Sequence, residues 1–235
     1  AQAISRALRT KLQGLLQSQI LRRSSPSRHG KLCGHGLYRI AVHDPRLFMK
    51  NEAVTGIDTA VHILLDISGS MTSRIELAGA ACYSVALALA AIPGISVGVS
   101  AFPADYKEDV AATVYPLLRH GKCIANSFAA EAHGSTPLTE ALWWVLGMLS
   151  TRPEHRKVIF VVTDGYPDDP ETAKDTITVA QRMGMNVLGI GIDAPAISSI
   201  IPCAETITDI RELAPAIFRL LQQPLLEKGD NSCQQ

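Results

Sequence analysis

The sequence predicts an α/β fold, a doubly wound Rossmann-like sheet with helices on both faces, and three observations carry that expectation. The run Val61-His62-Ile63-Leu64-Leu65 is apolar and branched and ends abruptly at Asp66, as a central strand covered on both faces does where it leaves the core. Lys157-Val158-Ile159-Phe160-Val161-Val162-Thr163 repeats the pattern and ends at Asp164-Gly165. Around these two runs, strand-like and helix-like patterns alternate, and the right-handed crossover rule leaves few topologies for them.

In chain order, residues 1–30 read as an N-terminal amphipathic basic helix and a linker. Ile4, Leu8, Leu12, Leu15, Leu16, Ile20 and Leu21 recur at helical spacing up to residue 23, and Ser24-Ser25-Pro26-Ser27 ends the pattern. An isolated amphipathic helix is marginal in water, so this stripe should pack on the main domain or on another copy, the latter giving an oligomer. Residues 31–56 look like an irregular lead-in. His29, Cys33, His35 and His43 in this region match no standard zinc spacing.

The main domain is expected over residues 57–223. Ile75 to Ile92 is Ala-rich and helical and stops at Pro93-Gly94. Residues 95–102 alternate as a strand, 103–109 are a polar loop, and 110–118 are an edge strand that turns at His120-Gly121. The span 123–133 is weakly helical. Residues 139–149 form a helix bearing Trp143 and Trp144, at least one of which should lie in the core. Asp168-Asp169-Pro170-Glu171 marks another helix start, with acids in the first turn and Pro near its first position. That helix runs to about Met183-Gly184 and is followed by a strand at 186–192. A short strand at 206–208, a last helix at 210–222 and a flexible tail at 224–235 complete the chain.

Composition limits the function classes. At 235 residues, with 47% hydrophobic and 19% charged residues, the chain can bury one sizeable core and carry an appendage. The formal net charge is zero, which removes any general electrostatic case for nucleic acid or an anionic membrane. No apolar run reaches transmembrane length, and the first residues are amphipathic rather than a signal peptide. The chain begins without Met, as a fragment of something longer does. Cys33, Cys82, Cys123, Cys203 and Cys233 are scattered, odd in number and without C-x-x-C spacing, which points to reduced thiols in a cytoplasmic protein. No G-x-G-x-x-G follows the first strand, no G-x-x-x-x-G-K occurs, and no nucleophile elbow is present.

The chemistry-bearing residues cluster where the strands end. In an open parallel sheet, ligands bind outside the carboxyl ends of the strands, so Asp66 and Asp164 meet at one rim if their strands are neighbours. Alternation past the strand end puts Asp66, Ser68 and Ser70 on one side, and Gly69 permits a tight turn that gathers their oxygens. Ser135-Thr136-Pro137-Leu138 offers hydroxyls in a loop just before a helix. A hard divalent cation such as Mg²⁺ prefers such oxygen ligands. On the pentapeptide from Asp66 to Ser70 alone, a strand end followed by a serine N-cap serves equally well.

D-I-S-G-S, then S-T-P-L, then V-V-T-D-G, in this order and spacing, resemble the metal-ion-dependent adhesion site (MIDAS) of von Willebrand factor type A domains, over roughly residues 57 to 222. That resemblance implies a mostly parallel six-stranded sheet with one antiparallel edge strand. It also implies Mg²⁺ (or Mn²⁺ or Ca²⁺) held by Asp66, Ser68 and Ser70, with Thr136 and Asp164 bound directly or through water, and a partner's carboxylate completing the site. Among such domains the chain is most similar to the C-terminal domain of the CobT-type subunit of aerobic cobaltochelatase. Leu8-Arg9-Thr10-Lys11-Leu12-Gln13, His43-Asp44-Pro45-Arg46-Leu47 and the small-residue helix after D-I-S-G-S-M support this. The chain departs from a full-length subunit of that kind by having no long acidic segment. The similarity implies a cytoplasmic adaptor, not itself the catalyst, beside an AAA+ ATPase of the MoxR/chelatase type in a cobalt-inserting complex of cobalamin biosynthesis. An adhesion module is the alternative. A metal-dependent hydrolase would need a general base or second metal, and neither is apparent in the sequence.

Overall fold

The computed structural model describes residues 22–29, 31, 32, 34, 44–46, 48–53, 58–104, 114–123, 128 and 130–226. They divide between two compact units, one drawn from Lys11–Ile57 and a larger one drawn from Asp58–Gln235.

In the smaller unit, β1 (Arg22–Ser27), β2 (Lys31–Leu32) and β3 (Phe48–Ala53) form an antiparallel sheet with β3 in the middle. This corrects two expectations, a helix reaching residue 23 with a linker behind it, and an irregular lead-in. The strand Arg22-Arg23-Ser24-Ser25-Pro26-Ser27 has no period-2 apolar signal. Its pairing uses the backbone, and Pro26 is tolerated because β1 is an edge. The N-terminal helix expected up to residue 21 lies outside the described residues.

The larger unit holds β4 (Thr59–Asp66), β5 (Ile95–Phe102), β6 (Tyr115–Leu118), β7 (Arg156–Thr163), β8 (Met185–Ile192) and β9 (Ala204–Ile207). Their order is β6-β5-β4-β7-β8-β9, and every neighbouring pair is parallel except β5 with β6. The sheet thus has the expected six strands with one antiparallel edge. All eight residues of β4 are buried, which is why its sequence is nearly continuous in apolar residues rather than alternating. The chain leaves β4 toward β5 on one side and returns to β7 on the other, so the winding reverses between β4 and β7. Their carboxyl ends flank the crevice that this reversal opens.

Among the described residues four α-helices cover the sheet: α1 (Ile75–Ala90), α2 (Leu138–Ser150), α3 (Pro170–Arg182) and α4 (Leu213–Leu226). Ala60, Leu64, Phe102, Ile159, Val161 and Val187 form one core with the apolar faces of α2 and α3. Val61, Ile63 and Leu65 alternate to the opposite face, where α1 and α4 pack on each other and on the strands. Each such fully buried aliphatic side chain contributes about 1.5–3 kcal/mol of transfer free energy.

Helix α2 buries Leu138, Ala141, Leu142, Val145, Leu146 and Leu149, a stripe at i, i+3, i+4, i+7, i+8 and i+11. Trp143 and Trp144 fall off that stripe and are 50% and 41% exposed, so the expectation that one of them is core is wrong. Helix α3 starts as its sequence suggests: Asp169 caps it by accepting from the Thr172 amide at 3.1 Å, and Pro170 takes the first position. Helix α4 runs on to Leu226, past the residue where the tail was expected to begin. The described residues of the span 123–133 are not helical. Both edge strands, β6 and β9, have four residues, and β6 contains Pro116.

A chain of polar side chains crosses the α2 face beside β5. His62, 1% exposed in the middle of β4, has Nε2 3.1 Å from the Ser100 hydroxyl and Nδ1 3.2 Å from Nε2 of His120. His120 Nδ1 lies 3.1 Å from the Ser96 hydroxyl, which also accepts from Arg152, itself paired with Glu154. Gly98 makes room for the rings, since a Cβ there would come within 2.5 Å of His120 and 2.6 Å of His62 Nδ1. Burial pushes His62 down to about 3 and His120 down to about 4, so both rings are neutral at ordinary pH.

Candidate metal centre

Asp66 is the last residue of β4 and Thr163 the last of β7, and because these strands are adjacent and in register the two side chains meet. Asp66 is fully buried. One of its oxygens accepts from the Ser68 amide at 2.8 Å and the other from the Thr163 hydroxyl at 2.5 Å. These two hydrogen bonds favour the carboxylate, yet burial outweighs them and raises its pKa, with the nearby charge of Asp164 pushing in the same direction.

Ser68 is extended and precedes a 3-10 turn over Gly69–Ser73. That turn carries Ser70 back over the rim, as the tight turn expected at Gly69 would, while strand alternation ends before Ser70 and plays no part in placing it. Gly69 has ordinary room for a Cβ, 3.6 Å from the Gly134 carbonyl, so no special conformation requires glycine there. Its amide instead donates to the Gly134 carbonyl at 3.2 Å, and His133 donates to the Ile67 carbonyl at 2.8 Å. Together these bonds stitch the Thr136 loop onto the first motif. Gly134 has φ of 74°, a conformation that favours glycine.

The Ser68 and Ser70 hydroxyls are 3.1 Å apart, and Ser70 donates to Asp164 Oδ1 at 2.5 Å. The Thr136 loop is held by Asp168: the Asp168 carboxylate accepts from the Thr136 amide at 3.1 Å, and the Asp168 amide donates to the Thr136 carbonyl at 3.1 Å. Gly165 sits where the loops converge, its Cβ direction 3.7 Å from Ser70 Oγ and 4.0 Å from Thr136 Oγ1. All five residues singled out in the sequence, Asp66, Ser68, Ser70, Thr136 and Asp164, therefore stand at one rim.

Four further residues shape the site and were given no place in it from sequence. Thr163 holds Asp66 and also caps the next turn, its hydroxyl accepting from the Gly165 amide at 3.1 Å. Asp168 fixes the Thr136 loop. Arg74 reaches Asp164 Oδ2 at 3.4 Å and Asp193 Oδ2 at 2.6 Å. Thr163 and Asp168 lie within or beside the quoted motifs and could have been found there. The Arg74–Asp193 pair joins residues 119 apart and leaves no local signal.

Two buried or half-buried carboxylates with three hydroxyls make an all-oxygen donor set, the kind a hard divalent cation takes. Asp66 is buried with no cationic side chain paired to it among the described residues, which fits such an ion, since the ion would offset the cost of its charge. Among the described residues no group of three His, Cys, Asp or Glu side chains forms another metal site. Cys82, Cys123 and Cys203 are free thiols, Cys82 buried, while Cys33 and Cys233 lie outside the described residues. No described helix is long and apolar enough to cross a membrane.

Comparison with solved structures finds the same fold widely. Manganese-loaded TRAP protein of Plasmodium vivax is 15% identical with a TM-score of 0.51, over 71% of this chain and 74% of that one. The pilus adhesin SpaC of Lactobacillus rhamnosus GG, in an open conformation, is 12% identical with a TM-score of 0.60, over 72% of this chain and 30% of that one. Proximal thread matrix protein 1 of the mussel byssus, with a zinc-occupied MIDAS motif, is 12% identical with a TM-score of 0.55, over 92% of this chain and 52% of that one. This chain thus spans a third or less of the adhesin and about half of the byssus protein. At such identities the likeness shows the fold. Comparison with curated protein sequences gives no match. The family model of the von Willebrand factor type A domain matches residues 60–206, which include every residue of the rim, and the chain belongs to that family.

Proposed function

We propose that Asp66, Ser68, Ser70 and Thr136 hold Mg²⁺, with Mn²⁺ or Ca²⁺ as substitutes, that Asp164 joins directly or through water, and that the domain is a metal-dependent protein–protein interaction module. Domains of this family generally serve adhesion or protein–protein interaction through such a site. The carrying observation is the buried Asp66 carboxylate at the foot of a rim of hydroxyls, a donor set of low total charge. A divalent ion there supplies an electrophilic, solvent-facing position, and an Asp or Glu carboxylate of a partner is the natural group to take it. The manganese in TRAP and the zinc in the byssus protein support the assignment of a divalent metal.

The partner in this reading is an AAA+ ATPase of the MoxR/chelatase type, in a cytoplasmic cobaltochelatase-like complex. Its support is the resemblance of the segments around Leu8-Arg9-Thr10-Lys11 and His43-Asp44-Pro45-Arg46, together with the free thiols. The chain acts as a latch, and the chemistry belongs to other subunits. The likeness to a pilus adhesin favours an adhesion module as the second reading.

Two measurements test this. Calorimetry should give Mg²⁺ binding in the wild type and none in Asp66→Ala; equal binding in both defeats the metal assignment. Capture of an AAA+ ATPase of the MoxR/chelatase type should need Mg²⁺ and be lost in EDTA, whereas equal capture in both conditions rejects the latch.

A further inference from the structure

We propose that Arg74 sets the specificity of this rim: its guanidinium, held by Asp193 beside Asp164, weakens the hold on a bare divalent ion and grips the carboxylate that completes the site, so that metal and anion bind together. The inference rests on the metal reading above and adds to it the residue that selects an anionic ligand.

Two locally unfavourable choices point to it. Arg74 occupies the N-cap of α1, where Ser, Thr, Asp or Asn is preferred, and its side chain makes no cap bond. A positive charge at a helix N-terminus also opposes the helix dipole. Asp193, just beyond β8, has φ of 54°, a conformation uncommon for residues other than glycine. Both choices serve one contact, the 2.6 Å pair between Arg74 Nη2 and Asp193 Oδ2. Its result is a guanidinium fixed at the rim where the loops after β4, β7 and β8 meet.

The geometry separates a strong partner from a weak one. The contact with Asp193 is short, while Nη1 stands 3.4 Å from Asp164 Oδ2, whose other oxygen belongs to Ser70. Asp193 therefore restrains Arg74 from closing fully onto Asp164. The Arg74 side chain is 36% exposed, and its planar fork has five N–H donors, of which these contacts use two. The remaining donors suit a carboxylate arriving at the metal's solvent side, and Arg matches both carboxylate oxygens where Lys offers a point charge. The same positive charge repels a bare cation and attracts an anion. Opposite effects on the two ligands distinguish this role from simple support of the fold.

The test is calorimetric titration of the full chain with Mn²⁺, alone and in acetate, for wild type, Arg74→Gln and Arg74→Lys. For Arg74→Gln, Mn²⁺ alone should bind about tenfold more tightly, the effect of one charge a few ångströms from a divalent ion in a largely aqueous dielectric. Acetate should then no longer enhance Mn²⁺ affinity as it does in the wild type. Arg74→Lys should keep the wild-type affinity for Mn²⁺ alone and lose most of the acetate effect, because it keeps the charge without the fork. Arg74→Gln with equal or weaker Mn²⁺ binding, or with the acetate effect intact, overturns the proposal while leaving the metal site standing. If Arg74→Gln does not fold, an undiminished acetate effect in Arg74→Lys overturns it instead. Wild-type protein that binds no Mn²⁺ overturns both this proposal and the metal reading.

Discussion

Acidification should destabilise this domain through His62, and the size of the effect follows from its surroundings. The ring is buried between β4, β5 and α2, within reach of Ser100, His120 and the Trp144 ring 6.3 Å away, and burial lowers its pKa from 6.5 to about 3. The unfolded chain binds this proton near the ordinary value and the folded chain does not, so stability is complete above about pH 6.5 and declines as pH falls toward 3. Between pH 7 and 5 the loss is about 2 kcal/mol, its slope steepening toward about 1.4 kcal/mol per unit only once the pH is well below the ordinary value. His120 acts in the same direction but is less buried and adds less. Asp66 acts oppositely, because its raised folded pKa makes the folded state the better proton acceptor as pH falls through that pKa. Urea unfolding of wild type and His62→Asn at pH 7, 6 and 5, with EDTA present, measures the difference. The wild type should lose about 2 kcal/mol more than the variant between pH 7 and 5. Parallel pH profiles for the two proteins would refute the assignment of the neutral buried ring.

Asp66→Asn should melt in EDTA at or above the wild-type temperature, since it removes the cost of a buried charge, and should lose all stabilisation by Mg²⁺; thermal melts with and without the ion check both. Thr136→Ala should weaken metal-dependent partner capture with little change in melting temperature, and a collapse of the fold would mean that its hydroxyl is structural. Gly98→Ala should cost about 2 kcal/mol or more, because the added methyl meets two ring atoms that the sheet and the serines hold in place. Leu146→Ala should cost about 2–5 kcal/mol and Trp143→Ala much less, a contrast read by denaturant midpoints.

What the sequence makes readable follows from where the physical constraint is local. Strands β4 and β7 are buried on both faces, so their apolar runs and terminal carboxylates stand out, and their adjacency brings Asp66 and Asp164 to one rim as expected. The stripe on α2 was equally readable. Its two tryptophans misled because side-chain size was weighed above helical phase, which places residues 143 and 144 away from Leu142, Val145 and Leu146. Strands β1 and β3 escaped because their pairing is carried by backbone groups, with Arg, Ser, Lys and Asn along much of their length. For Ser70 the expected turn is present as a 3-10 turn, but the alternation also invoked for it stops at the strand end. His62, Ser100 and His120 show no local periodicity and become a chain only when β4, β5 and the turn after β6 are side by side.

The short margins of the main sheet bear on how this molecule lives among its neighbours. An incoming strand would find only four residues to pair with at either border, and at β6 one of those is Pro116, which has no amide hydrogen to give. Ribbon-to-ribbon fusion with another protein, or with further copies, gains little there. Crowded or tandem arrangements can therefore bring many such domains close together without their main sheets joining edge to edge. Recognition is left to surfaces built from side chains, where a change of one residue can alter the choice of partner without altering the sheet.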